Sequence, residues 1–169
     1  MHLIISTDLS PNSKTIVLAE NALSDFNEMN VEAELVDLSE NDLPFCDGKK
    51  CYKNQAVQEL TEIITAADSL IIVSPVYNYD LNAAAKNLLE LTGGGWNEKV
   101  VGFICKAGGK SGFMSVMPFA NSLMLDFRCH IIPRFVYVTS DAFNGNDLVD
   151  DEIVNRIEEL VNSIIEWSS

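Results

Sequence analysis

The sequence predicts an α/β fold with a five-stranded parallel sheet of order 2-1-3-4-5 and helices on both faces. Apolar runs of strand length alternate with segments of helical period along the whole chain, and each right-handed crossover between parallel strands must lay its helix on a face of the sheet. At 169 residues the chain is too short for a closed eightfold barrel, which takes about 250 residues. The run Leu70-Ile71-Ile72-Val73 is apolar throughout, as in a strand covered on both faces, and gives way to Ser74-Pro75-Val76-Tyr77-Asn78-Tyr79. Open α/β sheets bind ligands at strand ends of this kind.

The elements follow in order. His2 to Ser6 is a short apolar strand, and from Pro11 or Ser13 onward Ile16, Ala19, Leu23 and Phe26 recur on one helical face. Val31 to Leu38 alternates apolar with acidic residues, which suits a strand at the sheet edge. Ser39 to Lys53, with Pro44 and Gly48, reads as a long surface loop. Ala56, Val57, Leu60, Ile63, Ile64 and Ala67 mark a second helix, followed by the buried strand Leu70–Val73. Pro75 fixes its own φ and biases Ser74 away from the helical region, so that strand is expected to stop there. A helix from about Leu81 to Thr92 ends at Gly93-Gly94-Gly95, and a strand spans Lys99 to about Lys106. Phe113, Met117, Ala120, Met124 and Phe127 are expected to form the buried face of a fourth helix, with the methionines filling the core. Ile131 to Val138 is a fifth strand, and Ile153, Ile157, Leu160, Val161, Ile164 and Ile165 form the apolar face of a last helix.

A hydrophobic content of 47% supports a full core, and residues 1–169 are expected to form a single domain. No apolar stretch approaches the roughly 20 residues that cross a bilayer, and no leader pattern opens the chain, so a soluble cytoplasmic protein is expected. A formal net charge of −14 disfavours nucleic acid and anionic membranes as partners. Asp147, Asp150, Asp151 and Glu152 read as an acidic helix start. Cys105 and Cys129 lie among strand residues and read as core; Cys46 and Cys51 have four residues between them and no second pair, and read as free loop thiols rather than a metal or redox loop.

In the order 2-1-3-4-5 the connections leaving the first and third strands diverge, so the loops after Ser6 and Val73 flank one crevice. The first loop, Ser6 to Thr15, carries five hydroxyl side chains, Asn12 and Lys14 around a helix N-terminus, which suits a phosphate. Ser10 at a cap with Pro11 behind it would also suit a plain helix start, but explains only those two residues. With no glycine, the loop matches neither the dinucleotide fingerprint nor the triphosphate-wrapping loop, which leaves a single phosphate monoester. The second loop offers Pro75, Tyr77 and Asn78, and the third offers Gly108 and Gly109, where a flat ring can approach the backbone. Phosphate, flat ring and polar ring edge together point to FMN.

Residues 73 to 90, from Val73-Ser74-Pro75-Val76-Tyr77-Asn78-Tyr79 to Glu90, resemble the flavin-loop motif of the NAD(P)H-dependent FMN reductase family, which is flavodoxin-like and includes quinone reductases and azoreductases. The first loop resembles that family's Ser-Gly-x-x-Arg-Pro-x-Ser-x-Thr phosphate loop at Ser6, Pro11, Ser13 and Thr15, and Ala107-Gly108-Gly109 resembles its third flavin loop. The resemblance implies a flavodoxin-like three-layer sandwich. It also implies FMN held at its phosphate by Ser13 and Thr15 with Ser10 and Asn12 nearby, and at its ring by Pro75, Val76, Tyr77, Asn78, Gly108 and Gly109.

Two positions depart from the pattern. Thr7 replaces a glycine, and Ser10 replaces an arginine whose charge-assisted phosphate contact is worth roughly 1.5 to 3 kcal/mol. Lys14 is a candidate for the missing charge. The implied activity is hydride transfer from NAD(P)H through FMN to a quinone, azo compound, flavin or similar small-molecule acceptor, in a homodimer or homotetramer. The competing readings are a flavodoxin-type electron carrier and a flavin-free interaction module of the same fold.

Overall fold

In chain order the elements are β1 (His2–Ser6), α1 (Lys14–Glu28), β2 (Ala33–Asp37), α2 (Gln55–Ala66), β3 (Ser69–Tyr77), β4 (Asp80–Leu81), α3 (Ala83–Thr92), β5 (Val100–Lys106), α4 (Met117–Phe127), β6 (His130–Ile131), β7 (Val136–Val138), β8 (Phe143–Asn144), β9 (Asp147–Leu148) and α5 (Asp151–Trp167). The structure is a computed structural model that describes residues 1–11 and 13–168. The parallel sheet runs β2-β1-β3-β5, and its last position is shared by β6 and β7, both paired with β5. This is the expected 2-1-3-4-5 order with the fifth strand divided. β2 is the edge, as its alternation requires.

The division of the fifth strand corrects the continuous Ile131–Val138 expected from the sequence. Pro133 has no N–H for a ladder and Arg134 sits at φ 61, so the chain leaves the sheet after Ile132 and returns at Val136. A second correction concerns β3, which runs through Pro75 to Tyr77. Val73 turns its carbonyl to the β1 side, where it accepts from the Thr7 N–H at 2.9 Å. By alternation Pro75 faces the same side, past the end of β1 at Ser6, so its missing N–H costs no ladder bond while pairing with β5 continues on the other side.

The fourth helix is the third correction. It begins at Met117 rather than Phe113, because Pro118 is tolerated in a first turn but would break a helix starting five residues earlier. Phe119, Ala120 and Leu123 form its buried face, whereas Phe113 is 54% exposed and Met117 and Met124 are also exposed. The methionines are therefore surface residues. The other helices start at side-chain caps: Ser13, Asn54, Asn82 and Asp150 accept from N–H groups in the first turns of α1, α2, α3 and α5. Asp151 and Glu152 place negative charge at the positive end of α5.

Two apolar layers cover the sheet. Leu3, Ile5, Leu70, Ile72, Val101 and Phe103 face α2, α3 and α4; Ile4, Ile71, Val73, Ile104 and Val136 face α1 and α5. No described helix is long and apolar enough to cross a membrane. Cys105 and Cys129 belong to the core, and burial pushes their thiols up to about 12 and about 11. Cys46 and Cys51 are free, with their sulfurs 4.0 Å apart in the long loop.

Asp25 on α1 is strained electrostatically. Its Oδ2 is buried with no hydrogen-bond partner among the described residues, and burial, with Glu158 of α5 and Glu28 adding repulsion, pushes its carboxyl up to about 6. The folded state therefore holds this proton more tightly than the unfolded chain, and the stability Asp25 contributes when protonated is lost as pH rises from about 4 to about 6. Discounted for partial exposure, Asp25→Asn is expected to raise unfolding stability by about 1 kcal/mol near pH 7 and to gain nothing below pH 4. Urea melts at the two pH values measure the difference.

Candidate functional site

Three loops meet at the carboxyl ends of β1, β3 and β5. Asn82, the cap of α3 and only 5% exposed, joins the first two. Its Oδ1 accepts from the Ala85 N–H at 3.1 Å and the Thr7 hydroxyl at 2.9 Å, with the Ser74 hydroxyl at 3.3 Å. Its Nδ2 donates to the Thr7 carbonyl at 2.6 Å. One buried amide thus fixes the chain leaving β1, Ser74 within β3 and the start of α3 in mutual register.

β3 and β4 form a hairpin closed by Tyr77 and Asp80, with Asn78 and Tyr79 at φ 51 and φ 68. Two consecutive positive φ values are the signature of a type I′ turn, which asparagine tolerates and tyrosine adopts only at some cost. The turn projects Tyr77 and Tyr79 into solvent, while Pro75 is buried and Val76 half-buried below them. The third loop, from Ala107 to Gly112, is pinned by Tyr137 of β7, whose hydroxyl donates to the Gly109 carbonyl at 2.6 Å and accepts from the Gly112 N–H at 3.2 Å. A Cβ at Gly112 would come within 3.6 Å of Val76, so the third loop packs on the second. At Gly108 and Gly109 an added Cβ would meet no atom within 4 Å. The chain's own packing does not call for glycine there, and the space beside both residues is free for a ligand.

The first loop is organised by a residue that composition did not single out. Asp8, 8% exposed, accepts at Oδ2 from the Ser13 hydroxyl at 2.5 Å and the Thr15 hydroxyl at 3.1 Å, and at Oδ1 from the Ser10 N–H at 3.0 Å. Burial alone would push its carboxyl up, but the hydrogen bonds from Ser13, Ser10 and Thr15 together hold it below the usual carboxylate range, so it is ionised at neutral pH. Ser13 also caps α1 through the Thr15 N–H at 3.0 Å. Ser6 lies fully buried at the base of the loop, its hydroxyl unpaired among the described residues. The Lys14 ammonium lies 4.9 Å from the centre of the Phe143 ring. Asn12 falls outside the described residues.

The sequence profile of NADPH-dependent FMN reductases matches residues 2–143 of this chain. The chain belongs to the NADPH-dependent FMN reductase family. An NAD(P)H-dependent FAD/FMN reductase of Geobacillus thermodenitrificans (strain NG80-2) is 29% identical over 163 residues, covering 92% of this chain and 88% of that protein. An NADPH azoreductase of Bacillus sp. (strain OY1-2) is 25% identical over 136 residues, 79% and 74% of the two chains. Among solved structures, a flavoenzyme NAD(P)H:(acceptor) oxidoreductase from Paracoccus denitrificans superimposes with a TM-score of 0.79 at 16% identity, covering 99% of this chain and 96% of that one. A flavodoxin from the domain Archaea gives 0.68 at 14% identity over 99% of both chains. These two likenesses establish the flavodoxin-like fold.

Membership of the FMN reductase family makes the protein an oxidoreductase with FMN as cofactor and NAD(P)H as reductant. At the ring end the third loop packs on Val76 of the second, and the backbone at Gly108 and Gly109 is open, an arrangement that suits a flat ring such as that of FMN. At the phosphate end a helix N-terminus and hydroxyls are present, with Asp8 among them. Asp8, Asn82 and Tyr137 are absent from the residues that sequence patterns nominate. Asp8 two residues before Ser10 is a legible turn signal, and Asn82 before three alanines is a legible helix cap. Nothing near Tyr137 in the sequence announces its reach across to Gly109.

Proposed function

We propose that this protein transfers hydride from NAD(P)H through FMN to a small-molecule acceptor such as a quinone, an azo compound or free flavin. The observation that carries the reading is a rim of three loops, in which Asn82 ties the first loop to β3 and the third loop, pinned by Tyr137, packs through Gly112 on Val76, in a chain matching the family profile over residues 2–143. When bound, FMN supplies the hydride chemistry. The protein's part is to bind and orient. Ser10, Ser13, Lys14 and Thr15 would hold the phosphate end at the N-terminus of α1, with Ser6 beneath; Pro75, Val76, Tyr77 and Asn78 would wall the ring, and Ala107, Gly108 and Gly109 would meet its other end, while Asn12, which the family resemblance also assigns to the phosphate, lies outside the described residues. No acid or base side chain is assigned, since the exchanged hydride needs none.

A groove of about 490 Å3 adjoins the first loop between Leu9, Leu38, Phe45 and Ala83–Ala84. Its apolar lining suits a flat aromatic acceptor. Phe113, Met114 and Met117 leave apolar surface exposed around the start of α4, which supports the reading that a homodimer or homotetramer forms. We place the protein in the cytoplasm, as one domain over residues 1–169.

Steady-state kinetics with FMN, NADPH and a quinone test the reaction. Parallel reciprocal plots are expected from alternating half-reactions. Failure to consume NADPH in the presence of FMN and acceptor would contradict an enzyme and favour a flavodoxin-type carrier.

A further inference from the structure

Resting on the flavin reading of this site, we propose that Asp8 holds the place of the flavin phosphate, so that FMN is bound weakly and exchangeably and a flavin without the phosphate is accepted about as well. The two hydroxyls aimed at a phosphate by the loop's likeness to the family, Ser13 and Thr15, both donate to Asp8 Oδ2, and the Ser10 N–H donates to Oδ1. A hydroxyl carries one proton and can donate it once. A phosphate entering the loop must displace the carboxylate from its donors or lie against hydroxyl oxygens that turn lone pairs toward it.

Charge works in the same direction. The loop carries Ser10 where the family pattern has arginine, and none of the ion pairs among the described residues involves Asp8. Lys14 extends over the Phe143 ring rather than to the carboxylate. A phosphate monoester with close to two negative charges therefore meets an ionised, nearly buried carboxylate with no cation between them. The ring-side loops make no such demand, and riboflavin can use them without confronting Asp8. The specificity-determining residue for the flavin's charged end is thus a single aspartate whose side chain already satisfies the loop.

Titrating FMN and riboflavin separately into the full chain, read by flavin fluorescence, tests this. The wild-type protein is expected to bind the two within about threefold of one another. Asp8→Ser, and Asp8→Asn, which removes the charge and keeps an acceptor for the turn, are expected to tighten FMN by at least about thirtyfold while moving riboflavin by less than about threefold. A merely structural Asp8 would shift both flavins together. An FMN-to-riboflavin ratio unchanged in the variants, or a wild type that prefers FMN by about thirtyfold or more, overturns the role of Asp8 and leaves the flavin site standing; the wild-type ratio serves even where a variant fails to fold. Binding of neither flavin by wild type or by either variant overturns the flavin reading and the Asp8 role together.

Discussion

Replacing Asn82 with alanine lowers unfolding stability by about 3 kcal/mol and abolishes flavin binding in the molecules that remain folded. The helix cap accounts for about 1 kcal/mol of the loss. The rest comes from buried groups that lose their best partners: the Thr7 carbonyl loses the Asn82 Nδ2 donor, and the Thr7 hydroxyl loses the Oδ1 acceptor and keeps only the long bond to the Val73 carbonyl at 3.4 Å, at about 1 kcal/mol each. The Ser74 hydroxyl keeps its bond to the Pro75 carbonyl at 3.1 Å and adds little. The functional loss has a geometric origin, because Thr7 opens the first loop and Ser74 precedes the ring wall. Asn82→Asp keeps the cap but turns a carboxylate oxygen toward the Thr7 carbonyl in place of the donor, so it is expected to recover the capping share, about 1 kcal/mol, at most. Urea denaturation with a parallel flavin titration separates the two effects.

Trp96→Ala costs about 4 kcal/mol but leaves the site's chemistry intact. Trp96 is 1% exposed and meets Phe119 edge-on with ring centres 6.4 Å apart. Its Nε1–H donates to the Thr92 hydroxyl at 2.7 Å, and the Cys129 thiol donates to its carbonyl at 3.0 Å. Alanine would leave a cavity between α3, α4 and the start of β5, walled by side chains that cannot all collapse into it. The indole lies before β5 begins, whereas the loops lie after the parallel strands end. Below its lowered melting temperature the variant is expected to bind flavin within about twofold of wild type. Thermal melts and a titration at low temperature check both halves.

The contrast between these residues parallels what the sequence discloses. Strand and helix alternation, the order of the sheet and the edge position of β2 are legible because each depends on period and connection length, which are local. Rules that consider one residue at a time misplace boundaries. Pro75 looks like a strand end until the ladder is seen to need its N–H on neither side, and apolar spacing carries the fourth helix back to Phe113 only if Pro118 is ignored.

At the site, the loops themselves are legible and their bonding is not. Hydroxyl-rich residues at a helix start suit a phosphate from outside and a carboxylate from within equally well, and only the placement of Asp8 shows three donors already engaged. Asn82 and Tyr137 act across 75 and 28 positions of sequence, beyond the reach of any local pattern.

Anaerobic addition of one equivalent of NADPH to the protein loaded with FMN tests the central claim most directly, since it needs both the flavin site and the hydride transfer. Bleaching of the flavin's visible absorbance faster than that of free FMN under the same conditions is the expected result. Flavin that stays oxidised, or is reduced no faster than free FMN at flavin concentrations that saturate the protein, would contradict an NAD(P)H-dependent flavin oxidoreductase.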